Sequence, residues 1–299
     1  MVRPAVTAVV LAALLASAVG LQAALVDRRP AVSPADREGF LYVSSPSAVR
    51  RAALSFDRLA ADLYWIRVLQ HYGGNRLLPE AERRYDLLWP LLDLTTSLDP
   101  DFDIAFRYGA VFLAEAFPSG PGRPDQAIAL LEKGLELQPN EWRFAQDIGF
   151  VEYWWRQDYQ AATDAFVRAA AMEGAPNWMG PLAAVTAAQG GSVAASRRLW
   201  QEVLANADIE WLEAQAVFRL RQLDAMDQMA ALERVSLAYE AASGALPSSW
   251  DELIAAGRLS RVPVDPDGYP YQLNPFWGTA TLHPDSSLNP LPTFGPALQ

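Results

Sequence analysis

Two histidines, a scatter of carboxylates and one Asp-Pro-Asp-Gly segment are the residues of this chain that could carry chemistry. Catalysis needs a nucleophile beside a base, two carboxylates in one cleft, or metal ligands at fixed spacing. His71 stands in Val68-Leu69-Gln70-His71-Tyr72-Gly73-Gly74, at the end of a helical pattern, where a histidine interacts favourably with the helix dipole. His283 is similarly isolated. Gly-x-Ser-x-Gly, His-Glu-x-x-His, phosphate-loop and Gly-x-Gly-x-x-Gly patterns are missing. Asp265-Pro266-Asp267-Gly268 invites a calcium reading, but an EF-hand loop would need an oxygen ligand near Tyr269, a Gly near Pro270 and a closing Glu. Asp265 and Asp267 therefore read as turn formers that bond nearby backbone amides. Glu115, Asp125 and Glu152 would serve an acid–base enzyme or a polymer-binding protein only if two of them lay about 5–9.5 Å apart in a cleft. Exposed helix carboxylates need no such role. No catalytic residue, metal ligand or cofactor is expected.

The elements that would position any site are helices. The chain has 299 residues, 51% of them hydrophobic, enough for a sizeable core. A net charge of −11 and no basic stripe argue against nucleic acid. Absence of cysteine removes disulfides, thiolate metal sites and a Cys nucleophile together. From Ala48 to Tyr72 apolar residues recur at helical spacing (Leu54, Leu59, Leu63, Ile66, Leu69), and Gly73-Gly74 supply the expected stop. A second helix is expected over about Glu80–Leu98, and a long one over Glu210–Ser243, ended by Gly244 and capping whatever precedes it.

The run Ala5–Val26 has no charged residue and is long enough, at about 1.5 Å per helical residue, to cross a bilayer core of about 30 Å. That length favours an uncleaved anchor; Ala16-Ser17-Ala18 and Gln22-Ala23-Ala24 offer the alternative of signal cleavage. Arg3 on one side is answered by Arg28 and Arg29 on the other, so flanking charge does not orient it. A Pro- and Ser-rich spacer follows, with at most a short strand at Phe40–Val43.

A repeat is visible between these ends. Helical segments close at Pro100 and Pro139, and each is followed by a helix carrying a small residue, Gly109 or Gly149. Gly109, Ala127, Leu131, Gly134 and Pro139, then Gly149, Tyr159, Ala162, Phe166 and Ala169, resemble the pattern of the tetratricopeptide repeat family. Ala127 to Ala162 is 35 positions and Ala162 to Ala195 is 33, close to that family's period of about 34. The loop Phe117–Gly122 lengthens one unit, and Pro176 comes late in the next. The resemblance implies three to four helix-turn-helix units in an α-solenoid, whose first helices line a concave surface that holds a partner's peptide or helix. Carried onto this chain, it nominates Gln146, Phe150 and Tyr153 around Gly149, Phe106 and Leu113 around Gly109, and Asp103 and Arg143 a turn earlier. Trp154 and Trp155 read as core aromatics or as groove residues beside them. The segment Ala61–Gly74 is similar to the helix that follows the anchor in some bacterial envelope proteins with such repeats.

After the long helix, Ser248 with Asp251 and Ser249 with Glu252 form overlapping capping boxes for a short helix ending near Gly257. The segment 269–274 can pair with 279–283 as a hairpin. With Pro263, Asp265, Pro266, Gly268, Pro270 and Tyr271 in place, the stretch from Leu246 to Asn274 resembles the C-terminal part of the type II secretion major pseudopilin. No pilin-type processing signal precedes the N-terminal apolar run, so pilin-like polymerisation is not expected; a plain cap on the stack is the other reading.

The expected organisation is a signal-anchor or signal peptide (1–29), a spacer (30–47), repeats (48–209), a capping helix (210–243) and a small α+β appendage (244–299). The expected function is non-enzymatic: a membrane-associated scaffold of the bacterial envelope, mainly on the periplasmic side, holding a protein partner. An envelope-polymer enzyme and a pilus-like structural subunit are the alternatives.

Overall fold

The computed structural model describes residues 13–17, 19–21 and 45–292, and the chain is mainly helical. Most of the apolar run Ala5–Val26, the spacer after it and the strand expected at Phe40–Val43 lie outside the described residues. Among those residues no helix is long and apolar enough to cross a membrane.

A short helix α1 (Pro46–Ala53) leads into helices arranged as sequential pairs: α2 (Asp57–Leu77) with α3 (Leu88–Leu98), α4 (Asp103–Ala114) with α5 (Pro124–Leu137), α6 (Trp142–Val151) with α7 (Tyr159–Ala170), and α8 (Met179–Gln189) with α9 (Val193–Ala205). Each pair packs on the next through α3–α4, α5–α6 and α7–α8, and α4 also touches α6. One core runs through the stack from Val68 and Tyr72 to Met179 and Ala183, with Phe106, Phe144 and Phe166 fully buried. A helical pair alone cannot cover its apolar face, so the pairs stabilise one another.

The small residues of the repeat pattern sit where helices approach most closely. A Cβ on Gly109 would lie 2.5 Å from Leu92 Cδ2 and 3.0 Å from Leu130 Cδ2, and one on Gly149 would lie 2.4 Å from the Phe166 ring. The longer loop of the second pair is held by Arg83 and Tyr85, which donate to the Pro118 carbonyl at 2.8 and 3.0 Å. Those residues belong to a segment expected to be helical; instead a 3-10 turn at Glu80–Glu82 precedes α3.

The helix expected over Ala48–Tyr72 is split into α1 and α2 at Leu54 and Ser55, both in the left-handed region, and α2 itself differs from expectation twice. Gly73 and Gly74 do not stop it, and α2 continues to Leu77. Buried Asn75 donates to the His71 carbonyl at 2.8 Å and accepts from the Arg84 amide at 2.7 Å, tying the last turn to the following loop. That tertiary anchoring outweighs the roughly 1 kcal/mol helix penalty of each glycine. Leu59, Leu63, Ile66 and Leu69 form a helical stripe as their spacing predicts, but the stripe faces solvent, and Ala61, Val68 and Tyr72 fill the core. Tyr72 and Trp65 stack on Phe112 of α4 with centroids 4.2 and 6.1 Å away.

His71 is consequently inside a helix and buried, not on a last turn, and burial lowers its pKa from 6.5. A base with a lowered native pKa favours unfolding on acidification, because the unfolded chain then binds more protons. Its contribution is complete above pH 6.5 and is lost as pH falls toward the lowered native value. Denaturant titrations at about pH 7.5 and about pH 5.5 are expected to show a stability decrease in the wild-type chain that His71→Leu reduces. An equal decrease in both chains would assign it to other groups.

Helix α10 (Glu210–Ser243) is a spine shared by two cores, and Gly244 ends it at φ +87°. Its first half packs Ala216 and Leu223 against Ala184 and Trp200 of the last pair. Its second half packs Ala225 and Leu232 against Trp250, Leu253, Tyr271 and Leu282 of the C-terminal module. That module contains α11 (Trp250–Ala255) and an antiparallel hairpin, β1 (Gln272–Asn274) with β2 (Thr279–Thr281), in register Leu273 opposite Ala280. Ser249 caps α11 by accepting from the Glu252 amide at 3.3 Å, while Glu252 reaches back to the Ser248 amide and hydroxyl at 2.7 and 2.8 Å. The two expected boxes thus merge into one cap.

Candidate functional site

Asp265 and Asp267 have structural partners. Asp265 Oδ1 accepts from the amides of Asp267 and Tyr269, each at 2.9 Å. Asp267 pairs with Arg221 of α10 and accepts from the Ser287 amide at 3.0 Å. Of the carboxylates weighed for acid–base work, Asp125 and Glu152 share Arg156, at 3.0 and 3.3 Å. Burial pushes the Glu152 carboxyl above its usual range, with Arg156 opposing. Among the described residues no three His, Asp or Glu side chains group to hold a metal ion.

The surface formed by the first helices of the pairs has a different character. On α4, Ile104, Tyr108 and Val111 are exposed at i, i+4 and i+7 spacing, which places them on one stripe. Beside them Arg107 spans to α6, with Nε donating to Asp147 Oδ2 at 2.5 Å and Nη2 to Oδ1 at 3.1 Å. Burial raises the Asp147 carboxyl above its usual value, and Arg107 opposes that shift. The two-pronged pair crosslinks adjacent repeats and leaves a polar centre among apolar neighbours.

Helix α6 passes directly into a π-helical turn, Glu152–Arg156, closed by Gln157 in the left-handed region. Such turns rotate the side chains that follow them relative to the helix before. Trp154 is 65% exposed, whereas Tyr153 and Trp155 are half-buried against the core. Tyr153 makes edge contacts with Trp154 and Tyr159 at 4.9 and 5.3 Å.

Three of the seven groove residues nominated from sequence are in the interior. Phe106 and Leu113 are fully buried and Gln146 nearly so; Phe106 packs 5.2 Å from the Phe144 ring. They cannot touch a partner without unfolding α4 or α6. Phe150 is half-buried, edge-on to Phe166 at 5.3 Å. Asp103 accepts from Gln138 Nε2 at 2.9 Å, joining the start of α4 to the end of α5. Arg143 is exposed, paired with Glu141 at 3.0 Å and lying over the Trp142 ring. Phe106, Leu113 and Gln146 are inside for one reason. Residues three or four places from a glycine at a helix crossing share its face, and that face is the core. The residues that do face solvent, Ile104, Tyr108 and Val111, lie on the opposite side of α4, about half a turn around from Gly109, Phe106 and Leu113. Their own apolar spacing was the signal that could have found them.

A concavity of about 350 Å³ lies where α7, α8 and α9 meet the start of α10. Ala183, Leu199, Val203 and Leu212 form its apolar wall, with Glu202 and Asp208 among its polar residues. No protein-family model, curated protein or solved structure matches the chain.

Proposed function

We propose that this chain is a non-catalytic scaffold that holds a helix or extended peptide of a protein partner across α4 and α6. The observation that carries the reading is the exposure of Ile104, Tyr108 and Val111 on α4 beside the Arg107–Asp147 pair that joins α4 to α6, with Trp154 exposed in the turn that follows α6. Large apolar anchors around a satisfied polar centre are the composition of binding hot spots. The helix pairs are read as tetratricopeptide-like units of a solenoid with this surface concave. The apolar run Ala5–Val26 tethers the scaffold to the inner membrane of a bacterial envelope with its bulk in the periplasm. The pseudopilin-like module suggests a secretion, pilus or export assembly as its setting.

Photocrosslinking in membranes from position 108, followed by identification of the captured protein, tests the face directly. Trp154→Ala is expected to weaken capture of that protein about 10–30-fold, the cost of truncating an interface aromatic by about 1.4–2 kcal/mol. Helical content is expected to be unchanged, because the indole is exposed. Undiminished capture by Trp154→Ala and Tyr108→Ala together would remove α4 and α6 as the binding face.

A further inference from the structure

Among the described residues nothing covers the outer face of α2. Leu59, Leu63, Ile66, Leu69 and Leu77 project from it, with exposures from 42% at Leu69 to 89% at Leu77, along a helix of 21 residues, about 30 Å. Asp62, Gln70 and Gly73 complete the same arc, so the exposed face is aliphatic over most of its length. An exposed apolar strip of this extent marks a contact surface.

Two features of the chain identify what it meets. Only eighteen residues separate Val26 from Ser45, so even fully extended they hold α1 within about 60 Å of the end of the apolar run. Charge is also divided unevenly. Residues 46–77 carry five Arg against two Asp, +3, whereas residues 78–299 carry fifteen basic against thirty acidic residues, −15. Arg58 is engaged by Asp99 and Asp101, but Arg50 donates to the Ser97 carbonyl and Arg76 lies over the Tyr72 ring. An aliphatic helix face in a segment of net charge +3, close in sequence to the apolar run Ala5–Val26, suits an anionic lipid interface, and the acidic remainder is repelled by it.

We propose that the outer face of α2 is a lipid-contact element that seats the first helix pair on the membrane and turns the acidic body of the stack away. This rests on the reading that Ala5–Val26 anchors the chain in a bilayer.

The absence of cysteine makes the test clean, since a single introduced cysteine is the sole labelling site. Full-length Leu63→Cys, Ile66→Cys and, as a reference on the exposed surface of α7, Gln160→Cys are labelled with an environment-sensitive fluorophore. They are reconstituted in vesicles of phosphatidylcholine with one third phosphatidylglycerol. The expected result is that probes at 63 and 66 shift to the blue, are quenched by lipid-borne spin labels and lose iodide accessibility several-fold. The probe at 160 stays aqueous, and the effect is weaker in pure phosphatidylcholine. Adding Leu59→Glu and Leu69→Glu to the Ile66→Cys chain is expected to abolish the shift while the vesicles still carry the protein in flotation. Chains that float with aqueous probes at 63 and 66 overturn the lipid-contact assignment and leave the anchor standing. Chains that do not float overturn the anchor and this inference with it. A shift that grows with protein density and is accompanied by energy transfer between copies overturns it in favour of α2-to-α2 pairing.

Discussion

Phe166→Ala is expected to destabilise the helix stack by about 3–5 kcal/mol, the usual cost of removing a buried phenylalanine ring. Phe166 is fully buried in the core that joins the pairs. Its ring lies where a Cβ on Gly149 would collide, and Phe150 meets it edge-on at 5.3 Å. Removing it opens a void between α6 and α7 that two glycine- and alanine-lined helices cannot close by rotating side chains. Urea denaturation followed by far-ultraviolet circular dichroism measures the loss, and a change under about 1 kcal/mol would show that the packing at Gly149 is not limiting. Because consecutive pairs share this core, the damage is expected to reach neighbouring pairs.

Trp250→Ala is the second large effect, and it acts on the other core. The indole is 8% exposed in a cluster with Leu253, Tyr271 and Leu282, and its Nε1 donates to the Tyr271 carbonyl at 2.8 Å. Truncation removes that volume and leaves the carbonyl without its donor, a loss of about 3–5 kcal/mol confined to the module beyond Gly244. Tyr271, which donates to Gln228 of α10 at 2.8 Å, and Gln222, which donates to the Leu288 and Pro290 carbonyls, tie the module to the spine. The expected outcome is early proteolysis around residues 243–249 with the stack's melting unchanged. A single transition lowered throughout would instead make the module an integral cap. Capture assays on the same variant separate the two roles further: retained capture with a melted module means that α4 and α6 suffice for binding.

The tip is the clearest case of local sequence being sufficient. Ser249, Glu252, Asp265 and Gly268 act through neighbours within a few residues, so the cap and the turn follow from the chain itself. Gly244 ends α10 for the same reason, by taking the left-handed conformation that other residues avoid. The hairpin turn that exposes Phe276 and Trp277 was equally legible as Asn274-Pro275-Phe276-Trp277-Gly278.

The candidate face was less so. Gly109 and Gly149 are at helix crossings, and their spacing reveals the repeat. Counting threes and fours from them, however, stays on the crossing side and leads to Phe106, Leu113 and Gln146 in the interior. The π turn that carries exposed Trp154 has no signature in Glu152-Tyr153-Trp154-Trp155-Arg156, because each of these residues is at home in an ordinary helix. Gly73 and Gly74 mislead in the opposite direction, since the anchoring of α2 by Asn75 depends on Arg84, in the loop that follows the helix.

The sequence by itself determined the helical elements, their pairing in order, the small residues at the crossings, the turn chemistry of the tip and the lack of any recognised catalytic motif. Only the tertiary structure decided which side of each helix is covered. It turned the Leu59–Leu69 stripe outward, drew Phe106, Leu113 and Gln146 inward and split α10 between two cores. The physical reason is that periodicity shows which residues share a face. Whether that face is buried depends on partners tens of residues away, whose packing no local pattern records.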